Sequence, residues 1–179
     1  MSHSSETPTQ PPRPVVVGLG NILLKDEGVG VHVIQHLARL SRTNALEYHL
    51  VDGGTCPDVF FHLPEEISKL IVVDAVKGGG KPGSIYRFSP DDLAFKRASY
   101  STLHQLGLIE GLRMMKLLGK CPDRVILLGI EPKEIDWGLD ISPELEEILQ
   151  KVILLIEAEI AGQKMQDHGA SARTSNQCP

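Results

Sequence analysis

The stretch that decides the fold of this chain is Val15-Val16-Val17-Gly18-Leu19-Gly20-Asn21-Ile22-Leu23-Leu24-Lys25-Asp26-Glu27-Gly28-Val29-Gly30. Its apolar start is typical of a strand covered on both faces. A glycine-rich turn follows and brings two adjacent carboxylates, Asp26 and Glu27, to the start of a helical pattern. Ligand sites in open α/β proteins gather at the carboxyl ends of strands. The stretch therefore predicts an α/β fold with a cation site after the first strand.

Strand and helix patterns alternate along the rest of the chain. Short β-branched runs predict five strands, of which the fourth is an edge: Val15–Leu19, Leu46–Val51, Lys69–Val73, Ser84–Phe88 and Arg124–Leu128. Helical periodicity and end signals, including Thr102, Gln105, Gly119 and Ser142, predict three helices: Glu27–Leu40, Leu103–Leu118 and Pro143–Ile160. This order predicts a three-layer α/β sandwich, with a mostly parallel sheet between helices.

Length and composition predict one domain with polar ends. The 179 residues are 41% hydrophobic, enough for one well-buried core. Residues 1–13 and 163–179 are polar and are expected to be flexible tails, because they bury too little apolar surface to offset the entropy of ordering them. The α/β domain is therefore predicted to span residues 14–162.

Charge and cysteine usage exclude several partners and locations. The net charge of −5 and the 4% aromatic content argue against binding to nucleic acid or to anionic membranes. No secretory signal or membrane-spanning run is visible. Cys56, Cys121 and Cys178 are odd in number and widely spaced, which predicts neither a disulfide framework nor a structural zinc site. We expect a cytoplasmic protein in a reducing compartment.

Three segments supply a candidate cation site. Glu27 follows the first strand, Asp74 ends the third, and His104 lies in the first turn of a later helix. Two carboxylates and an imidazole suit Zn, Ni or a similar divalent ion, and three side chains leave positions open for a partner's ligands. Asp26 is assigned to the helix N-cap, because Asp caps well, and the longer Glu27 to the metal.

Each of these residues also has an ordinary structural interpretation. Asp26 and Glu27 could merely complement the helix dipole. Asp74 could be a turn residue that starts the loop toward the glycines at 78–80. His104 could be a histidine without any ligand, facing solvent or core. The three become suggestive only because the topology brings the first and third strand ends side by side.

Other constellations are weaker. Gly18 and Gly20 could begin a dinucleotide-binding fingerprint with Asp52 as the ribose contact, but Leu23 stands where the third glycine belongs. The pair His32 and His36 lacks the glutamate of a zinc-protease helix and is predicted to lie on a solvated polar face. Cys56 could be a nucleophile, although a packing role is the simpler interpretation. No serine-hydrolase G-x-S-x-G motif occurs.

Taken together, the motifs resemble those of the NiFe-hydrogenase maturation endopeptidases. The segment Gly18–Gly30 resembles the family's G-x-G-N-x-L-x-x-D-[D/E]-G-x-G signature. Further similarities follow in order over the globular region: Asp52-Gly53-Gly54-Thr55, Val73-Asp74-Ala75, Thr102-Leu103-His104-Gln105, Gly129-Ile130-Glu131-Pro132 and Leu139-Asp140-Ile141-Ser142-Pro143. The chain departs from the family at Cys56-Pro57, where a glycine commonly follows the Asp-Gly-Gly-Thr motif.

The resemblance implies an activity and a partner. It implies a five-stranded sheet and an aspartic-type endopeptidase that removes the C-terminal extension of a hydrogenase large-subunit precursor after nickel insertion. Glu27, Asp74 and His104 would be its catalytic and metal-contacting residues, and the substrate would bring the nickel, which Zn or Cd could replace in a crystal. A nickel-sensing chaperone that does not cut, and a dinucleotide-binding module, stay open as alternatives.

Overall fold

The computed structural model describes residues 11–41, 47–90, 92 and 105–162. The strands in this part of the chain are β1 (Arg13–Leu19), β2 (His49–Gly54), β3 (Ile67–Ala75), β4 (Ile85–Phe88) and β5 (Val125–Ile130). The α-helices are α1 (Val29–Leu40), α2 (Gln105–Leu117) and α3 (Pro143–Ile160), and two 3-10 helices occupy Lys25–Gly28 and Pro57–His62. The predicted tails lie almost wholly outside the described residues; β1 begins at Arg13, one residue before the predicted domain.

The strands form one five-stranded sheet in the order β2-β1-β3-β5-β4. Four strands run parallel, and β4 pairs antiparallel with β5 at the edge. The chain passes from β1 outward to β2 and then returns to β3 on the other side of β1. This reversal makes the crevice between the carboxyl ends of β1 and β3 the place where such folds bind ligands.

Helices cover both faces of the sheet, which confirms the predicted three-layer α/β architecture. On one face, α1 and α3 pack against alternate strand residues such as Val16, Ile71 and Leu128. On the other face, α2 and the second 3-10 helix pack against residues such as Val17 and Val72. Burial of these apolar layers is the main force that holds the sheet between its helices.

Two glycines let the first helix approach the sheet closely. A Cβ atom at Gly30 would lie 2.3 Å from the carbonyl oxygens of both Leu19 and Val73, and a Cβ at Gly18 would lie 2.1 Å from the carbonyl oxygen of Gly30. Both contacts are too short for any side chain. The glycine-rich pattern therefore places the start of α1 against the ends of β1 and β3.

Several predicted boundaries differ from the structure. The predicted strand Leu46–Val51 is wrong by three residues, because β2 continues to Gly54 through backbone pairing with β1. The predicted helix start at Glu27 is a 3-10 helix, and α1 begins at Val29. The end at Gly119 is confirmed: its φ of 69° is a conformation that favours glycine. The prediction for Thr102 lies outside the described residues.

Two further findings concern the cysteines and the membrane. Cys121 is disulfide-bonded, whereas Cys56 is a free and exposed thiol. The prediction of no disulfide framework did not include this single bond, since spacing along the chain does not decide which cysteines meet in space. In the part of the chain that the structure describes, no helix combines the length and apolar character needed to span a bilayer.

Candidate functional site

Glu27 lies in the 3-10 helix between β1 and α1 and is buried. Its carboxylate accepts a hydrogen bond from the backbone N–H of Asn21, in the turn that follows β1. Gly20 permits this turn: its φ is 140°, and a Cβ there would lie 2.2 Å from the carbonyl oxygen of Glu27. The turn thus wraps closely around Glu27 and holds its carboxylate at the carboxyl end of β1.

Asp74 is the penultimate residue of β3 and has no exposed surface. Its Oδ1 accepts a hydrogen bond from the N–H of Ala75 at 2.9 Å. The strand register pairs Val73 with Gly18, so Asp74 stands one residue beyond that pair, at the same edge of the sheet as the turn after β1. Two buried carboxylates, Glu27 and Asp74, therefore belong to neighbouring strand ends.

The third residue of the predicted site, His104, lies outside the described residues; the next residue, Gln105, begins α2. Among the described residues, no group of three or more His, Cys, Asp or Glu side chains has the arrangement of a metal site. The ligand set Glu27, Asp74 and His104 consequently stays a prediction. Carboxylate and imidazole groups fit a borderline divalent ion such as nickel.

The assignment of Asp26 to the helix N-cap is wrong. The N-cap residue of α1 is Gly28, and the fully buried carboxylate of Asp26 turns to a distant segment. It accepts backbone hydrogen bonds from Lys133 at 2.8 Å, Glu134 at 3.0 Å and Ser142 at 2.6 Å, and the Ser142 hydroxyl donates a fourth at 2.9 Å. Asp26 thus binds the segment 133–142 to the turn that carries Glu27.

Backbone pairing joins the same two segments at the surface. Leu24 forms an isolated parallel bridge with Gly138. The N–H of Lys25 donates to the carbonyl of Gly138, and the N–H of Gly138 donates to the carbonyl of Leu23, both at 3.0 Å. Lys25 also forms an ion pair with Glu134 at 3.1 Å. The segment 133–142 is therefore paired along its middle with the turn after β1.

Glu131 organises the glycine loop that follows Asp74, and sequence reasoning assigned it no role. It is buried, and its Oε2 accepts hydrogen bonds from the Tyr86 hydroxyl at 2.5 Å, Gly78 N–H at 2.8 Å and Gly80 N–H at 3.2 Å. Burial alone raises the pKa of Glu131, but these hydrogen bonds outweigh it and hold the pKa below its usual value. The only signal was its position in the Gly-Ile-Glu-Pro motif.

Asp52 lies near the carboxyl end of β2, and Cys56 lies in the loop that follows this strand. The exposed carboxylate of Asp52 accepts a hydrogen bond from the Gly54 N–H at 3.0 Å, so it shapes its own turn. Hydrogen bonding to Asp58 raises the pKa of the Cys56 thiol, and the negative charge of the same carboxylate raises this pKa further. A thiol held protonated is a poor nucleophile, which argues against a cysteine peptidase.

The pair His32 and His36 lies on α1, and His32 departs from the predicted solvated polar face because part of its ring is buried. Both rings are half-buried, and the Nε2 atom of His32 is buried without a hydrogen-bond partner among the described residues. Burial lowers the pKa of His32, and the charge of Arg39 lowers it further. The backbone of Leu139 and the carboxylate of Asp140 lie close enough to act on His32, a proximity that the helical pattern alone does not reveal.

Comparison with known proteins gives one consistent result. Residues 31–159 match the family model described as hydrogenase maturation protease. The hydrogenase expression/formation protein HupD of Rhodobacter capsulatus is 38% identical over 138 residues, which cover 75% of this chain and 64% of that protein. The HupD protein of Bradyrhizobium diazoefficiens is 34% identical, over 79% of this chain and 74% of that protein.

Comparison with solved structures points to the same family. The NiFe hydrogenase maturation protease HybD from Thermococcus kodakarensis superposes with a TM-score of 0.69 and 29% identity. The match covers 83% of this chain and 99% of that protein. This chain spans slightly less than two thirds of the length of the Rhodobacter capsulatus protein.

Proposed function

Because the chain belongs to the hydrogenase maturation protease family, we propose that it removes the C-terminal extension of a NiFe-hydrogenase large-subunit precursor after nickel insertion. In this proposal, Glu27, Asp74 and His104 recognise the nickel that the precursor carries. The nickel is part of the substrate. In this proposal, the metal coordination becomes complete only when the precursor is bound.

One observation carries this proposal most directly. Glu27 and Asp74 are carboxylates buried at the adjacent ends of β1 and β3, the crevice where folds of this topology bind ligands. A buried carboxylate is costly unless hydrogen bonds or a cation compensate it. Two such groups at one edge attract a divalent cation presented by a docked partner.

The proposed chemistry is a checkpoint based on positioning. The precursor's own cysteines hold its nickel, and the two carboxylates and the imidazole complete the coordination. Binding to the metal then holds the scissile peptide of a loaded precursor in one place, whereas a precursor without nickel lacks this anchor. Such positioning converts binding energy into rate, because the reacting groups no longer have to find each other.

The glycines of the first turn offer no separate support for a dinucleotide site. Gly18, Gly20 and Gly30 are each required by close approach of the protein's own backbone. The exposed side chains of Ile22 and Leu23 also occupy the turn that would have to approach a pyrophosphate. Packing around Glu27 accounts for the pattern without a phosphate.

The test is a cleavage assay with purified precursor, loaded with nickel or free of it, read by mass spectrometry of the large subunit. We expect loss of the C-terminal extension only with nickel. Glu27→Gln and His104→Ala should abolish the cleavage. Glu147→Gln, an exposed carboxylate on α3, is the matched control and should cleave like the wild type. Far-UV circular dichroism verifies that all three variants are folded.

Two results would overturn the proposal. If the wild type leaves the loaded precursor at full length while still binding it, the protein is a chaperone that does not cut. If Glu27→Gln and His104→Ala both process the precursor at the wild-type rate, these residues do not recognise the nickel.

A further inference from the structure

An apolar surface adjoins the turn that carries Glu27. Four large apolar side chains on the two paired segments are exposed to solvent, by 38%, 49%, 76% and 62%: Ile22, Leu23, Trp137 and Leu139. The parallel bridge between Leu24 and Gly138 sets Leu23 next to Trp137 in register, with Leu139 one residue beyond the bridge. We call these four residues the Trp137 surface. Clustered exposed apolar side chains of this size mark interaction sites.

The Trp137 surface is held firmly in place. Asp26 accepts four hydrogen bonds from the segment that carries Trp137, at both of its ends. The two backbone hydrogen bonds across the bridge fix its middle. A tryptophan on a backbone that is fixed in this way is a favourable anchor for a partner, because little loop entropy is lost on binding.

The charges around this surface define the partner. The segment 133–142 includes three carboxylates and one lysine. Asp136 and Asp140 are exposed beside Trp137 and Leu139, and the nearby Lys25 and Lys133 are engaged in ion pairs with Glu134 and Glu144. An apolar centre with an acidic rim is complementary to an apolar segment flanked by basic side chains.

We infer that the Trp137 surface docks an apolar segment of the large-subunit precursor flanked by Lys, Arg or His residues. This inference rests on the proposed function and names the contact that it needs. The surface is continuous with the Glu27 turn, since Asn21, which donates to Glu27, precedes Ile22 directly. A precursor that docks there therefore presents its metal to the adjacent carboxylates while its apolar segment covers Trp137.

The kinetic test compares single variants in the cleavage assay on nickel-loaded precursor. Trp137→Ser and Leu23→Ser should raise KM by at least about 10-fold while kcat changes less than about twofold, because they remove binding energy shared by ground and transition states. Leu117→Ser is the matched control, since Leu117 is equally apolar, 80% exposed and at the distant end of α2. It should leave both constants unchanged. Higher ionic strength should raise the wild-type KM.

A second measurement reports docking without cleavage. Trp137 is the only tryptophan of the chain, so labelling with 5-fluorotryptophan gives a single fluorine NMR signal from this site. Adding the loaded precursor to the Glu27→Gln variant should shift or broaden that signal, and Leu23→Ser should weaken the response.

The outcomes separate this inference from the proposed function. If the wild type cleaves but Trp137→Ser and Leu23→Ser keep the KM of Leu117→Ser, the docking inference is wrong. If the wild type does not cleave but the fluorine signal responds to the precursor, docking is supported and the peptidase proposal fails. If the signal instead depends on the concentration of the protein alone, the surface joins two copies of this chain, and the inference is overturned.

Discussion

Asp26 and Ser142 are 116 residues apart in sequence, yet both the N–H and the hydroxyl of Ser142 donate to the Asp26 carboxylate, at 2.6 and 2.9 Å. Ser142 directly precedes α3, while Asp26 directly precedes Glu27. This contact connects the start of the last helix to the candidate site. The geometry of Glu27 therefore depends on a segment near the end of the domain.

Replacing Asp26 by Asn should destabilise the protein strongly. The carboxylate accepts four hydrogen bonds in a fully buried place, whereas an amide has one acceptor oxygen and sets its NH2 group against N–H donors. We expect the free energy of unfolding to fall by about 2–4 kcal/mol. Urea denaturation measures it. Asp52→Asn, an exposed carboxylate with one backbone hydrogen bond, should cost less than about 1 kcal/mol. Equal losses of unfolding free energy in both variants would show that the hydrogen bonds between Asp26 and the segment 133–142 do not stabilise the protein.

Gly30→Ala should force α1 away from the sheet. The new Cβ would lie 2.3 Å from two carbonyl oxygens, and neither strand end can yield without losing backbone pairing. We expect a loss of about 2–3 kcal/mol in the free energy of unfolding, typical of overpacking. Ala38→Ser, at an exposed position of the same helix, should change it by less than about 0.5 kcal/mol. An unchanged urea midpoint for Gly30→Ala would show that the close approach is unnecessary.

Glu131 should make the protein sensitive to acid. Its pKa is lowered in the folded state from an ordinary value of 4.5. Its contribution to stability is therefore complete above pH 4.5 and is lost as the pH falls through the lower folded pKa. Glu131→Gln should be less stable than the wild type at pH 7, and the difference should shrink below pH 4.5. Urea midpoints between pH 3 and 7 test the sign, and a difference that grows toward low pH would refute it.

Cys56→Ser should retain full cleavage activity on nickel-loaded precursor. Hydrogen bonding to Asp58 raises the pKa of this thiol, which keeps it in the less nucleophilic form. Asp58→Asn should lower that pKa and speed alkylation of Cys56 by iodoacetamide at pH 8. Loss of peptidase activity in Cys56→Ser, in a protein that still binds the precursor, would instead point to a cysteine nucleophile.

The local pattern of apolar residues in the sequence was sufficient to predict most of the strands and helices. Continuous apolar runs such as Val15–Leu19 identify buried strands, because residues covered on both faces must all be apolar. The edge position predicted for the Ser84–Phe88 strand is confirmed by β4. Boundaries failed where pairing with a neighbour overrode the local signal: β2 extends through Asp52 and Gly53, two residues that favour a turn in isolation.

The candidate site, like the fold, has features that the sequence predicted and features that it did not. The placement of Glu27 and Asp74 at neighbouring strand ends was predictable, since parallel strands bring their carboxyl ends to one edge. The role of His104 stays a prediction. The hydrogen-bond partners of Asp26 and Glu131 could not be predicted from the sequence. Most of the groups that donate to these two carboxylates lie more than 45 residues away in the chain.

The sequence by itself determined the alternation of strands and helices, the glycines that the first turn requires, and the family to which the chain belongs. Those features depend on contacts between near neighbours or on motifs of fixed spacing. Only the tertiary structure decided that Asp26 holds the segment 133–142, that Glu131 holds the loop after Asp74, and that Trp137 stands beside Leu23. Such contacts arise when distant segments pack together, and local periodicity carries no information about which segments will meet.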